Sequence, residues 1–165
     1  MKNILKYTLY LVLFIGISSF TLKSDAANKQ YKVLVQMKNY SGEGAYIVVS
    51  VINDKNQYVK TLQLIGDDKQ WFNTLKSWWA FHAKRKLSDI DAISGATVSG
   101  GERSTFTLNI SEAWMNKGYK LRFETAVEEV NYYTSDVEIP LTTAGLSTRP
   151  EGKGFIRYVR LMPTR

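Results

Sequence analysis

Residues 45–52 read Ala-Tyr-Ile-Val-Val-Ser-Val-Ile. β-Branched side chains are stiff at χ1 and crowd a helix, so so dense a run reads as a buried strand. The rest of the chain repeats the theme with a stricter alternation. Val33, Val35 and Met37 fall on one face of 31–38. Phe106, Leu108 and Ile110 alternate with Thr105, Thr107 and Asn109. Tyr119, Leu121 and Phe123 alternate with Lys120, Arg122 and Glu124. A period of two is the signature of a half-buried strand. Segments 58–65 and 155–162 read the same way, and 137–141, which contains Pro140, suits a short edge strand. Turn-forming residues separate these segments at 39–44, 53–56 and 117–118, and 142–154 reads as a loop. The spacing predicts that the first three segments, 31–38, 45–52 and 58–65, form an antiparallel meander.

One segment changes period. Trp71, Leu75, Trp78 and Trp79 stand at i, i+4, i+7 and i+8, a single apolar stripe. Gly66-Asp67-Asp68 supplies a cap and early acidic charge, and Lys84-Arg85-Lys86 complements the other end of the dipole. A helix over about 70–85 follows. About seven strands and one helix, joined by short turns, predict an all-β fold. The expected form is an immunoglobulin-like antiparallel β-sandwich with the helix at one end or across one face.

The chain of 165 residues has no Cys and one His, His82. That excludes a disulfide framework, a thiolate site, c-type haem attachment and a multi-His metal centre. His82 beside Phe81 reads as structural, and no Ser-His-Asp arrangement is in view. Asp67-Asp68 and Glu128-Glu129 read as solvated charges. Met1 to Ala26 has the form of a secretory signal: Lys2 and Lys6, a 14-residue apolar run over 7–20, and Ser24-Asp25-Ala26 before the expected cut. That run is short of the ~20 residues that span a bilayer. One sandwich domain would then occupy 27–165, with no membrane insertion once the signal is cut. The leader holds Lys2, Lys6 and Lys23 against Asp25, so the mature chain keeps +5 of the total +7. An exported chain does not meet chromosomal nucleic acid, so the charge favours solubility or acidic partners.

The loop 87–102 holds Asp91-Ala92-Ile93-Ser94-Gly95-Ala96-Thr97. Small, flexible residues there present the Thr97 hydroxyl with little bulk around it. The stretch resembles the flavinylation signal Asp-x-x-(Ser/Thr)-Gly-Ala-(Ser/Thr). That signal is found in the C subunit of the sodium-pumping NADH:quinone reductase and in related electron-transfer subunits. Asp91, Ser94, Gly95, Ala96 and Thr97 match its constrained positions. The resemblance implies FMN joined through its phosphate to Thr97 by a flavin transferase that uses Mg²⁺ in trans. Asp91 would be a recognition residue, and Gly95 and Ala96 would leave room for the enzyme. Trp78 and Trp79 read as core packing, with flavin stacking as the alternative.

The whole mature chain is also similar to exported bacterial proteins grouped as domain of unknown function 2271. The likeness rests on the strand segments, the Trp-rich helix, the motif and Gly118-Tyr119-Lys120-Leu121-Arg122-Phe123-Glu124. It extends distantly to the sandwich domain of flagellar hook-capping proteins. These resemblances imply a periplasmic electron carrier with covalent FMN, partnered by a membrane-bound reductase. The other reading is a non-catalytic envelope module that binds a protein or solute without flavin.

Overall fold

The computed structural model describes residues 27–164 except Glu129, so the leader expected over 1–26 lies outside the described residues. The strands are β1 (Asn28–Met37), β2 (Tyr46–Ile52), β3 (Tyr58–Ile65), β4 (Ile93–Ser94), β5 (Arg103–Ser111), β6 (Lys120–Val127), β7 (Asn131–Pro140) and β8 (Ile156–Pro163). Two helices, α1 (Lys76–His82) and the single turn α2 (Thr143–Leu146), complete the set with three short 3₁₀ turns. The strands form two sheets, ordered β5-β1-β8 and β4-β3-β2-β6-β7. The all-β sandwich expected from the alternation is present.

The meander is not. β2 and β3 form a hairpin, but β1 belongs to the other sheet, where Val33 lies opposite Phe106 of β5 and Leu161 of β8. The link between β1 and β2 crosses from one sheet to the other instead of turning back as a hairpin. β7 is also longer than the 137–141 segment; its first residues lack alternation, the run 132–135 with Tyr132 and Tyr133 being half-buried throughout.

The main core lies between the sheets. Val33, Val35 and Met37 face Ile47, Val49, Val51, Leu121 and Phe123. Each such side chain stabilises by about 1.5–3 kcal/mol on burial. The five-stranded sheet is covered on its other face too, where Tyr46, Val48, Leu64 and Ala126 lie under Phe72, Leu75 and Trp78. Every residue of β2 is therefore buried. That explains why its sequence is a continuous apolar run while its neighbours alternate.

The expected helix over 70–85 is two pieces. A 3₁₀ segment, Lys69–Thr74, is capped by Asp68, whose side chain accepts from the Gln70 N–H at 3.1 Å. Leu75, at φ −80° and ψ 63°, breaks the ladder, and α1 follows and ends at His82. Leu75 is fully buried. Seating its side chain against the sheet outweighs an unbroken helix. Lys84, Arg85 and Lys86 thus lie beyond α1, with the Arg85 guanidinium 3.9 Å over the Phe81 ring.

This helical cover has a topological task. β4 runs parallel to β3, and a parallel pair cannot be joined by a tight turn; it needs a crossover. The segment between Ile65 and Ile93, with its 3₁₀ turns and α1, is that crossover.

Candidate functional site

The crossover delivers the motif to the end of the five-stranded sheet. Asp91 places a carboxylate oxygen 2.7 Å from Lys60 Nζ. The Ala92 and Ser94 carbonyls accept from the N–H groups of Leu64 and Gly66, each at 2.9 Å. Gln63 Nε2 reaches Ser94 Oγ at 3.4 Å. The motif is thus an edge strand through Ser94, not a free loop. Its far end is tied as well. Val98 is buried and exchanges two hydrogen bonds with Ala45, at 2.8 and 3.1 Å. Tyr40 donates its hydroxyl to the Val98 carbonyl at 2.7 Å.

Asp91, Ala92, Ile93, Ser94, Gly95 and Ala96 are exposed, and Thr97 is half-buried. Thr97 leans on Gly44, where a Cβ would lie 2.3 Å from Thr97 Oγ1. Only glycine at 44 allows the hydroxyl to sit there. At Gly95 a Cβ would stand 3.2 Å from Asp67 Oδ2, so a side chain there would crowd the turn. The sequence-derived residues Asp91, Ser94, Gly95 and Ala96 therefore share one exposed ridge, with half-buried Thr97 at its end. Downstream of it, Gln36, Lys38, Glu102, Arg103 and Arg157 line an open, basic cleft of about 1030 Å³ at the end of the three-stranded sheet.

Trp78 lies in the cluster under the helical cover, and its partner Thr61 also accepts from the Asp91 N–H at 3.4 Å. The indole has no exposed surface, donates Nε1–H to Thr61 Oγ1 at 2.9 Å, and stacks on His82 with ring centroids 4.8 Å apart. The packing reading describes it, because a buried ring has no face to offer a flavin. Trp79 is half-buried, 6.0 Å from Trp78 and 6.3 Å from Phe72 between centroids. His82 is buried too, and burial pushes its imidazole below the usual range.

Sequence reasoning missed a second polar cluster. Glu124 lies on the face of β6 away from the main core, the polar side of its alternation. That face is the one under the helical cover, and Glu124 is fully buried. Tyr58 donates its hydroxyl to Glu124 Oε1, and Tyr132 donates to Oε2 at 2.5 Å. The Ser77 N–H at the start of α1 donates to Tyr132 Oη at 2.9 Å. The only signal in the sequence was a glutamate on a strand destined for the middle of a sheet. With no exposed atom it is closed to any substrate, and it ties α1 to the sheet.

Burial raises the Glu124 carboxyl above the usual range and also raises both phenols above theirs. Above the ordinary phenol value of 10.0, the unfolded chain releases protons that the folded chain keeps. Stability is thus fully present below pH 10.0 and falls as pH rises beyond it. The raised Glu124 carboxyl acts in a separate, acid window: its share of stability is full below the ordinary carboxylate value of 4.5 and is lost as pH rises beyond it, so the alkaline limb belongs to the two phenols. Thermal melts followed by circular dichroism should show Tm dropping steeply in alkali. The double variant Tyr58→Phe, Tyr132→Phe should flatten that limb; an unchanged limb would refute the assignment.

The residues present fit a covalently attached flavin in one respect: the Thr97 hydroxyl sits at the end of an exposed, small-residue ridge, over a glycine whose Cβ would fill its place. Among the described residues no group of three or more His, Cys, Asp and Glu side chains converges to hold a metal ion, and no helix is long and apolar enough to cross a membrane.

Comparison with curated proteins gives no match, and neither does comparison with solved structures. Residues 28–158 match the family described as "Predicted periplasmic protein (DUF2271)". The match runs from the first residue of β1 into β8, so it takes in both sheets, the helical crossover and the motif. The chain belongs to the DUF2271 family of periplasmic proteins.

Proposed function

We propose that this protein is a periplasmic electron carrier that holds FMN in phosphoester linkage to Thr97. The observation that carries the reading is the placement of the motif. Its six residues from Asp91 to Ala96 are exposed, and the acceptor hydroxyl follows them on a backbone bonded at both ends.

The loading step takes place in a flavin transferase. Thr97 Oγ bonds to the flavin-side phosphorus of FAD, the phosphoanhydride bond breaks, and AMP leaves while the hydroxyl proton passes to solvent or a base. Once bound, FMN supplies one-electron and hydride chemistry. This chain contributes a fixed attachment point and an open surface around it. An exposed attachment ridge suits exchange with a docked membrane-bound reductase better than selection of a small substrate, which needs concave burial.

Co-expression with a periplasmic flavin transferase should add the mass of FMN less one water, read on the intact protein. Thr97→Ala should abolish the gain, Ser99→Ala should leave it, and Thr97→Ser should retain part of it. Mapping of the label to another residue would refute the assignment. An unlabelled wild type would favour the flavin-free binding module.

A further inference from the structure

We propose that the flavin transferase grips this chain by strand addition, pairing an extended segment of its own with the outer edge of β4 at Ile93. The inference rests on the flavinylation reading and deepens it by naming how the partner recognises the site.

The geometry begins with the parallel register, Leu64 opposite Ile93 and Ile65 opposite Ser94. In such a ladder one strand spends the N–H and C=O groups of alternate residues on its neighbour. Here Ala92 and Ser94 are those residues, and their carbonyls accept from Leu64 and Gly66. Ile93 therefore directs its own N–H and C=O away from β3. β4 is the last strand of its sheet among the described residues, so these groups meet solvent. An open edge of this kind is what a partner strand pairs with.

The side chains of the motif leave a partner little else to read. The Asp91 carboxylate is engaged by Lys60 at 2.7 Å. The Ser94 hydroxyl faces Gln63 at 3.4 Å. Both hold the strand in place from within the chain. Gly95 has no side chain and Ala96 only a methyl. The large apolar side chain that the ridge exposes before Thr97 is that of Ile93, at 41% exposure, beside its outward main-chain groups. Strand addition uses both: two main-chain hydrogen bonds to Ile93 and an apolar seat for its side chain. It also sets direction. Thr97 is four residues on, on the order of 13 Å of extended chain, so a grip at Ile93 fixes which hydroxyl reaches the enzyme's phosphate site. Asp91 then acts as a positioning residue for the strand.

The test uses the mature protein, purified flavin transferase, FAD and Mg²⁺. Ile93→Pro removes the outward N–H while leaving the Ala92 and Ser94 bonds to β3 intact, and proline is tolerated on edge strands. Losing that bond should lower kcat/KM for labelling by about tenfold. Ile93→Ala and Ile93→Thr keep the N–H and should stay within about threefold, since each loses only part of an apolar contact. Amide hydrogen exchange gives an independent readout with wild-type protein. Ile93 should exchange freely alone and become protected when transferase is added without FAD. Labelling of Ile93→Pro at the wild-type rate, an equal loss in Ile93→Ala, or an unprotected Ile93 amide in the complex would each overturn strand addition while leaving flavinylation standing. A wild type that takes no label at all would remove the flavinylation reading, and this inference with it.

Discussion

Asp136→Ala should bring the domain close to unfolding. Asp136 is fully buried in β7 and accepts three hydrogen bonds: from Thr125 Oγ1 at 2.6 Å, Gly154 N–H at 2.6 Å and Ile156 N–H at 3.0 Å. The first partner is on β6, in the same sheet. The third begins β8, in the other sheet. One carboxyl group thus clips the two layers together at the turn before β8. The turn has closed around it, since a Cβ on Gly152 would stand 2.5 Å from Asp136 Oδ1. Truncation leaves a hydroxyl and two amide N–H groups buried without acceptors, at ~1–3 kcal/mol each. The expected loss is about 3–5 kcal/mol after partial relaxation. Whole domains are stable by only about 5–15 kcal/mol. Urea denaturation should show the midpoint falling with little change in slope. A shift below about 1 kcal/mol would mean that water replaces the carboxyl without strain.

Trp78→Ala should be as severe. The indole fills the space between α1 and the sheet, with Phe72 at 5.8 Å and His82 at 4.8 Å between ring centroids. Large aromatic-to-alanine truncations in a core cost about 3–5 kcal/mol. The variant also leaves Thr61 Oγ1 without the Nε1–H that it accepts. Trp79→Ala, at a half-buried ring, should cost markedly less. The same urea titration checks both. If Trp78→Ala kept wild-type stability and altered only the spectrum of an attached flavin, the ring would belong to the cofactor and not to the core. The Asp136 and Trp78 sites share no partner, so their effects should add.

Local physics made much of this fold legible. A period of two is written into the positions of Val33, Val35 and Met37 whichever strand pairs with them, and all three are buried. The Asp68 cap was legible because it acts within two residues of itself. Pairing was not. β1 meets Phe106 and Leu161 across more than seventy residues of chain, and nothing near Asn39 says that the next strand joins the other sheet. Glu124 was opaque for a related reason. Its alternation assigns it correctly to the outer face of β6, but only the crossover helix makes that face an interior. The motif is legible only through its resemblance to a known signal, and its small residues read as a loop. Its strand partner, β3, lies on the far side of the helix in sequence, so the pairing leaves no local trace.

The pair of hydrogen bonds between Val98 and Ala45 has a consequence for anything carried on Thr97. Val98, next to Thr97, is pinned to Ala45, so a group attached at Thr97 would hang from a fixed post on a leash no longer than its own linker. Its search volume is then set by the cargo's chemistry, and the protein adds no slack. A short leash on a rigid post gives a high effective concentration to a partner docked within reach and almost none to one docked elsewhere. Electron exchange by such a carrier would depend on how the domain is oriented at contact. Lengthening the segment between Ser94 and Val98 would relax that dependence, widening the set of partners at the expense of the rate with the proper one.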